Sequence, residues 1–125
     1  MKVKTVYLID SNSFGNTILE WAENKHIEAV NIDQKNNDLA ELVDGAVVFH
    51  ENHNFSKVDE ETQSYLDENN RPSHRVDING TLAATKSNFT MWLERNNPTK
   101  LLVLGNAEIA KNPNLKRFLD SLENQ

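Results

Sequence analysis

Residues 5–33, TVYLIDSNSFGNTILEWAENKHIEAVNID, decide how this chain is read. Thr5 to Asp10 is a short apolar run of strand-forming residues. Ser11 to Asn16 is polar and carries one glycine. Phe14, Ile18, Trp21, Ala22 and Lys25 then recur at spacings of three and four, which predicts a helix over about residues 14–25. Ile27 to Asp33, half apolar, predicts a second strand. A helix between two strands implies a crossover connection and therefore a parallel pair.

The alternation continues outward from there. Asn37-Asp38 opens a second helix with Leu39, Leu42 and Val43 on one face, and Gly45 is expected to end it as a left-handed residue. Ala46 to Phe49 reads as the third strand. Ser56-x-x-Asp59 has the form of a capping box, and Asp59, Glu60 and Glu61 suit the positive end of the helix it starts. Val58, Thr62, Tyr65 and Leu66 make that helix's face, and Asn69-Asn70-Arg71-Pro72 breaks it. His74, Val76 and Ile78 alternate with polar residues, a fourth strand. Leu82, Thr85, Phe89, Trp92 and Leu93 mark a fourth helix, stopped at Asn97-Pro98. Lys100 to Leu104 is the fifth strand. Asn112-Pro113 is an N-cap followed by proline at the first helical position. The fifth helix then carries Leu115, Phe118, Leu119 and Leu122.

Five such units in residues 1–125 predict one domain of the α/β class. Its form is a three-layer α/β/α sandwich on a five-stranded parallel, doubly wound sheet. The expected strand order is the flavodoxin-like 2-1-3-4-5. Polarity pulls against it, because that order places the apolar KLLVL strand at an edge and the half-polar HRVDI strand inside. An order 2-1-3-5-4 suits polarity better but is rarer.

Composition narrows the function classes. The chain has no cysteine, so disulfides, thiolate metal sites and a cysteine nucleophile are excluded. A net charge of −6 argues against unspecific binding to nucleic acid or anionic membrane. The apolar run after Met1 is too short for a signal peptide, and no stretch approaches membrane-spanning length. The expectation is a soluble cytoplasmic protein. Asparagine, 18 of 125 residues, falls mostly at junctions, where it caps helices and tolerates turns.

In an open parallel sheet ligands bind off the carboxyl ends of the strands, where strand order reverses. For 2-1-3-4-5 that point lies between strands 1 and 3. The expected ligand-binding residues are Ser11, Ser13, Gly15, Asn16 and Thr17 of the first loop, with Lys86 and Asn106 facing them. Hydroxyls and free N–H groups at a helix start suit a phosphate, while Asp10 would repel one unless turned away. His50-Glu51-Asn52-His53, Asn79, Gly80 and Thr81 complete the loops at that edge. The His50–His53 segment lacks helical ligand spacing and reads as a polar loop.

Gly15-Asn16-Thr17 resembles the end of the flavodoxin phosphate loop, with Phe14 inserted before it. That resemblance implies a flavin phosphate held by the first loop. Flavodoxins also stack an aromatic on the flavin from the loops after strands 3 and 4, where this chain offers only Phe55. Asp10-Ser11-Asn12-Ser13-Phe14-Gly15 resembles the first block of SGNH (GDSL-type) hydrolases, which implies Ser11 as nucleophile and Asn106 as oxyanion donor. That family needs an Asp-x-x-His near the C-terminus, and no histidine follows His74. The layout is also similar to phosphoacceptor receiver domains, but only Asp10 of their acidic and lysine set is present.

The leading expectation is therefore a binding or interaction module taking a small polar or phosphate-bearing ligand. An enzyme at the same site, flavin-dependent or hydrolytic, is the alternative, and the sequence assigns no cofactor. The fourth helix has apolar residues at 82, 89, 91, 92 and 93, wider than one stripe. Met91 or Trp92 is therefore expected to meet a protein partner or a second copy.

Overall fold

A computed structural model describes residues 3–9, 12–32 and 39–122. Five strands are formed: β1 (Thr5–Leu8), β2 (Glu28–Asn31), β3 (Gly45–His50), β4 (Ser73–Asp77) and β5 (Lys100–Gly105). The helices are α1 (Ser13–Asn24), α2 (Leu39–Leu42), α3 (Lys57–Glu68), α4 (Leu82–Asn96) and α5 (Pro113–Asp120). A short 3-10 helix, Ala107–Lys111, precedes α5. The expected opening of the second helix at Asn37-Asp38 lies outside the described residues.

Among the described residues all strand-to-strand pairings of the sheet are parallel, and the α/β/α class is as the sequence implies. The strand order is not. It runs β2-β1-β5-β3-β4, so β5 lies between β1 and β3 and β4 is an edge strand. The cause is the polarity noted above. Leu101 to Leu104 are buried on both faces of the sheet, at about 1.5–3 kcal/mol for each large apolar side chain fully removed from water. An interior β4 would instead bury the charged groups of Arg75 and Asp77, which costs several kcal/mol each unless they are paired.

One face carries α1, α4 and α5. Phe14, Ile18, Phe89, Leu93, Leu115 and Phe118 pack there on Val6, Val47, Phe49 and Val103. The other face carries α2 and α3, where Leu39, Val43 and Leu66 pack on Tyr7, Ala46, Val48 and Leu102. Steps β1 to β2 and β4 to β5 run one way across the sheet, and the steps out of β2 and β3 run the other. One crossover hand then requires helices on alternate faces, as found.

Several local signals hold as read. Ser56 caps α3 by accepting the N–H of Asp59 (3.1 Å), and Asn112 caps α5 ahead of Pro113. Asn97 ends α4 in the left-handed conformation. Gly45 differs: it opens β3, with no positive φ. A Cβ there would stand 3.1 Å from the Pro72 carbonyl oxygen and 3.2 Å from the Trp92 ring, so close packing, not a turn, explains this glycine. Trp92 is half-buried, stacked on His74 (5.8 Å) and Phe89 (6.3 Å). Trp21, also half-buried, donates its Nε1–H to the Leu119 carbonyl at 3.1 Å.

Candidate binding site at the carboxyl edge

With β5 inserted, β1 and β3 are no longer neighbours, and the crevice moves to the two sides of β3. The chain leaves β3 toward the α3 face, but leaves β5 and β4 toward the opposite face. The rule that ligands sit where neighbouring connections diverge points to either side of β3, whereas the recess described below lies between α4 and α5 on one face and takes no residue from β3.

The first loop is bonded to itself. Asn12 accepts the Gly15 N–H at 2.7 Å, and the Thr17 hydroxyl donates to the Ser13 carbonyl at 3.0 Å. Ser13 and Asn16 are exposed at the start of α1, and Gly15 is buried. Ser11 and Asp10 lie outside the described residues. Asn106 caps the 3-10 helix by accepting the Glu108 N–H at 3.1 Å. Lys86 is half-buried in the second turn of α4.

Beneath this loop lies Phe14. Its ring packs on Phe49 with centroids 5.7 Å apart. It comes so near Gly105 that a Cβ there would sit 2.5 Å from the ring. Gly105 therefore serves Phe14 rather than a ligand. The space left between Ile9, Asn12, Gly15, Asp59 and Gly105 is about 20 Å³, enough for about one water molecule.

A larger opening of about 220 Å³ lies past the end of β4, lined by Asp77, Gly80, Leu82, Thr85, Asn114 and Arg117 over Ile78 and Phe118. Asp77 organises its rim: one carboxylate oxygen accepts the N–H groups of Asn79 (3.0 Å) and Asn52 (3.3 Å). Asn79 in turn accepts from the side-chain amides of Asn112 (2.8 Å) and Asn114 (3.3 Å), tying the loop after β4 to the start of α5. Thr81, which precedes α4, gives the first turn of that helix no side-chain cap. Sequence reasoning named Gly80 and Asn79 but missed Asp77, Thr85, Asn114 and Arg117.

On the α3 side of β3, His50 is only 2 % exposed. Its Nδ1 accepts the His53 N–H at 2.9 Å, and its ring meets those of His53 (5.1 Å) and Phe55 (4.6 Å). The Arg75 guanidinium lies 4.5 Å over Phe55 and donates to Gln63 at 3.1 Å. Burial holds His50 below the ordinary imidazole value.

Comparison with protein-family models, with curated proteins and with solved structures gives no match for this chain. What fold and site define is a class: a small parallel α/β/α domain with a polar recess at the carboxyl edge of its sheet. No helix among the described residues is long and apolar enough to cross a membrane.

Proposed function

We propose that the chain is a small cytoplasmic binding module that holds a small polar ligand in the recess between β4, α4 and α5. The observation that carries this reading is the convergence of Asp77, Thr85, Asn114 and Arg117 on one opening of about 220 Å³. Pockets for drug-sized molecules span about 300–1,000 Å³. The recess suits a smaller molecule, not a flavin. Arg117 and the uncapped first turn of α4 favour a carboxylate or phosphate group on that molecule. Asn114 and Asp77 would orient its hydrogen-bonding groups. The titratable lining residues are Asp77 and Arg117, and one oxygen of Asp77 already serves two backbone N–H groups. Binding is therefore the reading, ahead of catalysis.

The test is a thermal-shift series with inorganic phosphate, a sugar phosphate, an amino acid and flavin mononucleotide. A small anion should stabilise the protein, and Arg117→Gln should abolish that gain. Stabilisation that survives Arg117→Gln but is lost in Gly15→Val would move the site to the first loop.

A second reading concerns α4. Met91 is 50 % exposed, which favours a partner or second copy meeting this helix around Met91 with Trp92 at its edge. Leu82, 38 % exposed, stands on the opposite side of the helix, nine residues away at about 100° per residue. It belongs to the mouth of the recess. Sedimentation of wild type and Met91→Lys tests the idea: a concentration-dependent dimer lost in the variant supports it, and a monomer in both removes the self-association form.

A further inference from the structure

The chain reverses over Glu51 to Asn54, where the Asn54 N–H donates to the Glu51 carbonyl at 2.9 Å. Asn52 (φ 50°) and His53 (φ 66°) are both left-handed, the backbone form of a type I′ turn, which glycine fills most easily. Neither residue is glycine, although asparagine and histidine are among the side chains that adopt this conformation most readily. Two bonds from outside the turn hold it. His50 Nδ1 accepts the His53 N–H at 2.9 Å, and Asp77 accepts the Asn52 N–H at 3.3 Å.

An imidazole nitrogen that accepts an N–H carries no proton. His50 is therefore neutral here, with its proton on Nε2. A second proton would have to go to Nδ1, where it would face the His53 N–H, donor against donor. We propose that His50 and the turn it holds form a proton-operated latch at the carboxyl end of β3: closed when His50 is neutral, released when it is protonated. The proposal goes beyond ligand binding and stands whether or not the recess takes a ligand.

The charged groups acting on His50 are Asp77 and Arg75 of β4 and His53 of the turn itself. α3, packed on the same side of β3, brings Asp59 in its first turn. Burial is the largest influence and disfavours the proton. Asp77 opposes it, and His53 and Arg75 reinforce it. The closed turn thus excludes the proton, and by linkage the proton disfavours the closed turn. The closed-to-open ratio is fully present above the ordinary histidine value of 6.5. It falls below that value, by up to about tenfold per pH unit, until His50 titrates in the closed state. Asp77 joins the turn to the rim of the recess, because the same oxygen also accepts the Asn79 N–H.

The experiment is amide NMR on the full chain from about pH 7.5 to about pH 5, a range that spans histidine titration. The expected result is a loss of exchange protection and a shift of the His53 and Asn54 amides as pH falls, while the Leu102 and Val103 amides of β5 stay protected. His50→Asn puts a carbonyl oxygen near the position of Nδ1 and accepts at any pH. It should keep the turn closed throughout. His53→Asn removes the second imidazole and should leave the transition in place. The proposal is overturned if the turn amides stay unchanged while His50 titrates, or if the transition persists in His50→Asn. It is equally overturned if the β5 amides are lost together with the turn, since that would be global acid unfolding.

Discussion

Above β1 and β5 the carboxyl edge of the sheet is filled by Phe14, whereas beyond β4 it stays open between Asp77, Thr85, Asn114 and Arg117. Both corners are rich in hydroxyl and amide groups, so polarity does not separate them. At the first corner Asn12 and Thr17 bond within α1, and an aromatic ring occupies the floor. At the second, three asparagines brace one another around a space that no side chain fills. A polar loop at a strand end becomes a candidate site only when the residues beneath it leave room.

The sharpest way to break this contrast is to remove the plug. Phe14→Ala should cost about 3–5 kcal/mol of unfolding free energy, as for other buried aromatics, measured by urea denaturation. A cost below about 1 kcal/mol, well under that range, would show that the first corner is not packed as described. Gly105→Ala attacks the same contact from the sheet side. Its Cβ would meet the buried Phe14 ring at 2.5 Å, and overpacking of this kind costs about 1–3 kcal/mol. Adding Phe14→Leu should recover part of that loss. If the two changes are simply additive, the contact is not shared. Asn12→Ala removes the cap of α1 and should cost about 1 kcal/mol, with no effect on ligand binding at the far corner.

Acid should weaken the fold in a defined order. Burial depresses His50 and His74, so the unfolded chain takes up their protons before the folded one does. Stability is therefore greatest above the ordinary value of 6.5 and declines below it, down to the depressed folded values. Burial acts to raise Asp44, but the Thr99 hydroxyl and the N–H groups of Thr99 and Lys100 outweigh it and hold it below 3.8. Its stabilising contribution is full above that value and is lost only as pH falls further. Denaturation midpoints across pH check the sequence of events, and His74→Phe should flatten the decline nearer neutrality. An unchanged slope would assign that decline to other groups. The smallest effect is expected from Gly80→Ala at the recess. Its Cβ would meet the Thr85 hydroxyl at 2.9 Å and the Asp77 carbonyl oxygen at 3.3 Å, so a loss of about 1 kcal/mol or less is expected while the opening narrows.

Element identities were legible because their signals are local. Apolar runs, the Ser56 and Asn112 caps and the Asn97-Pro98 stop each act within a few residues. Strand order was not, because it depends on which strand gains most from burial at the centre. The polarity of Lys100–Leu104 against Ser73–Asp77 already pointed to β4 as the edge strand. The position of the open corner was lost with it, since the bonds from Asn79 to Asn112 and Asn114 span more than thirty residues. Phe14 was legible as a core residue from its helical spacing. Its neighbour Gly105 was not legible as the partner that makes room for it, because that fit is visible only in three dimensions. The asparagines show the same division. Their places at junctions are readable, but which ones brace a site is not.

On the reading proposed above, a small polar ligand enters the corner beyond β4 and not the first loop. Chemical-shift mapping of the labelled protein with inorganic phosphate and small carboxylates tests it most directly. Saturable shifts are expected at Asp77, Gly80, Thr85, Asn114 and Arg117, lost in Arg117→Gln. Saturable shifts confined to Ser13–Thr17, Gly105 and Asn106, and persisting in Arg117→Gln, would contradict it.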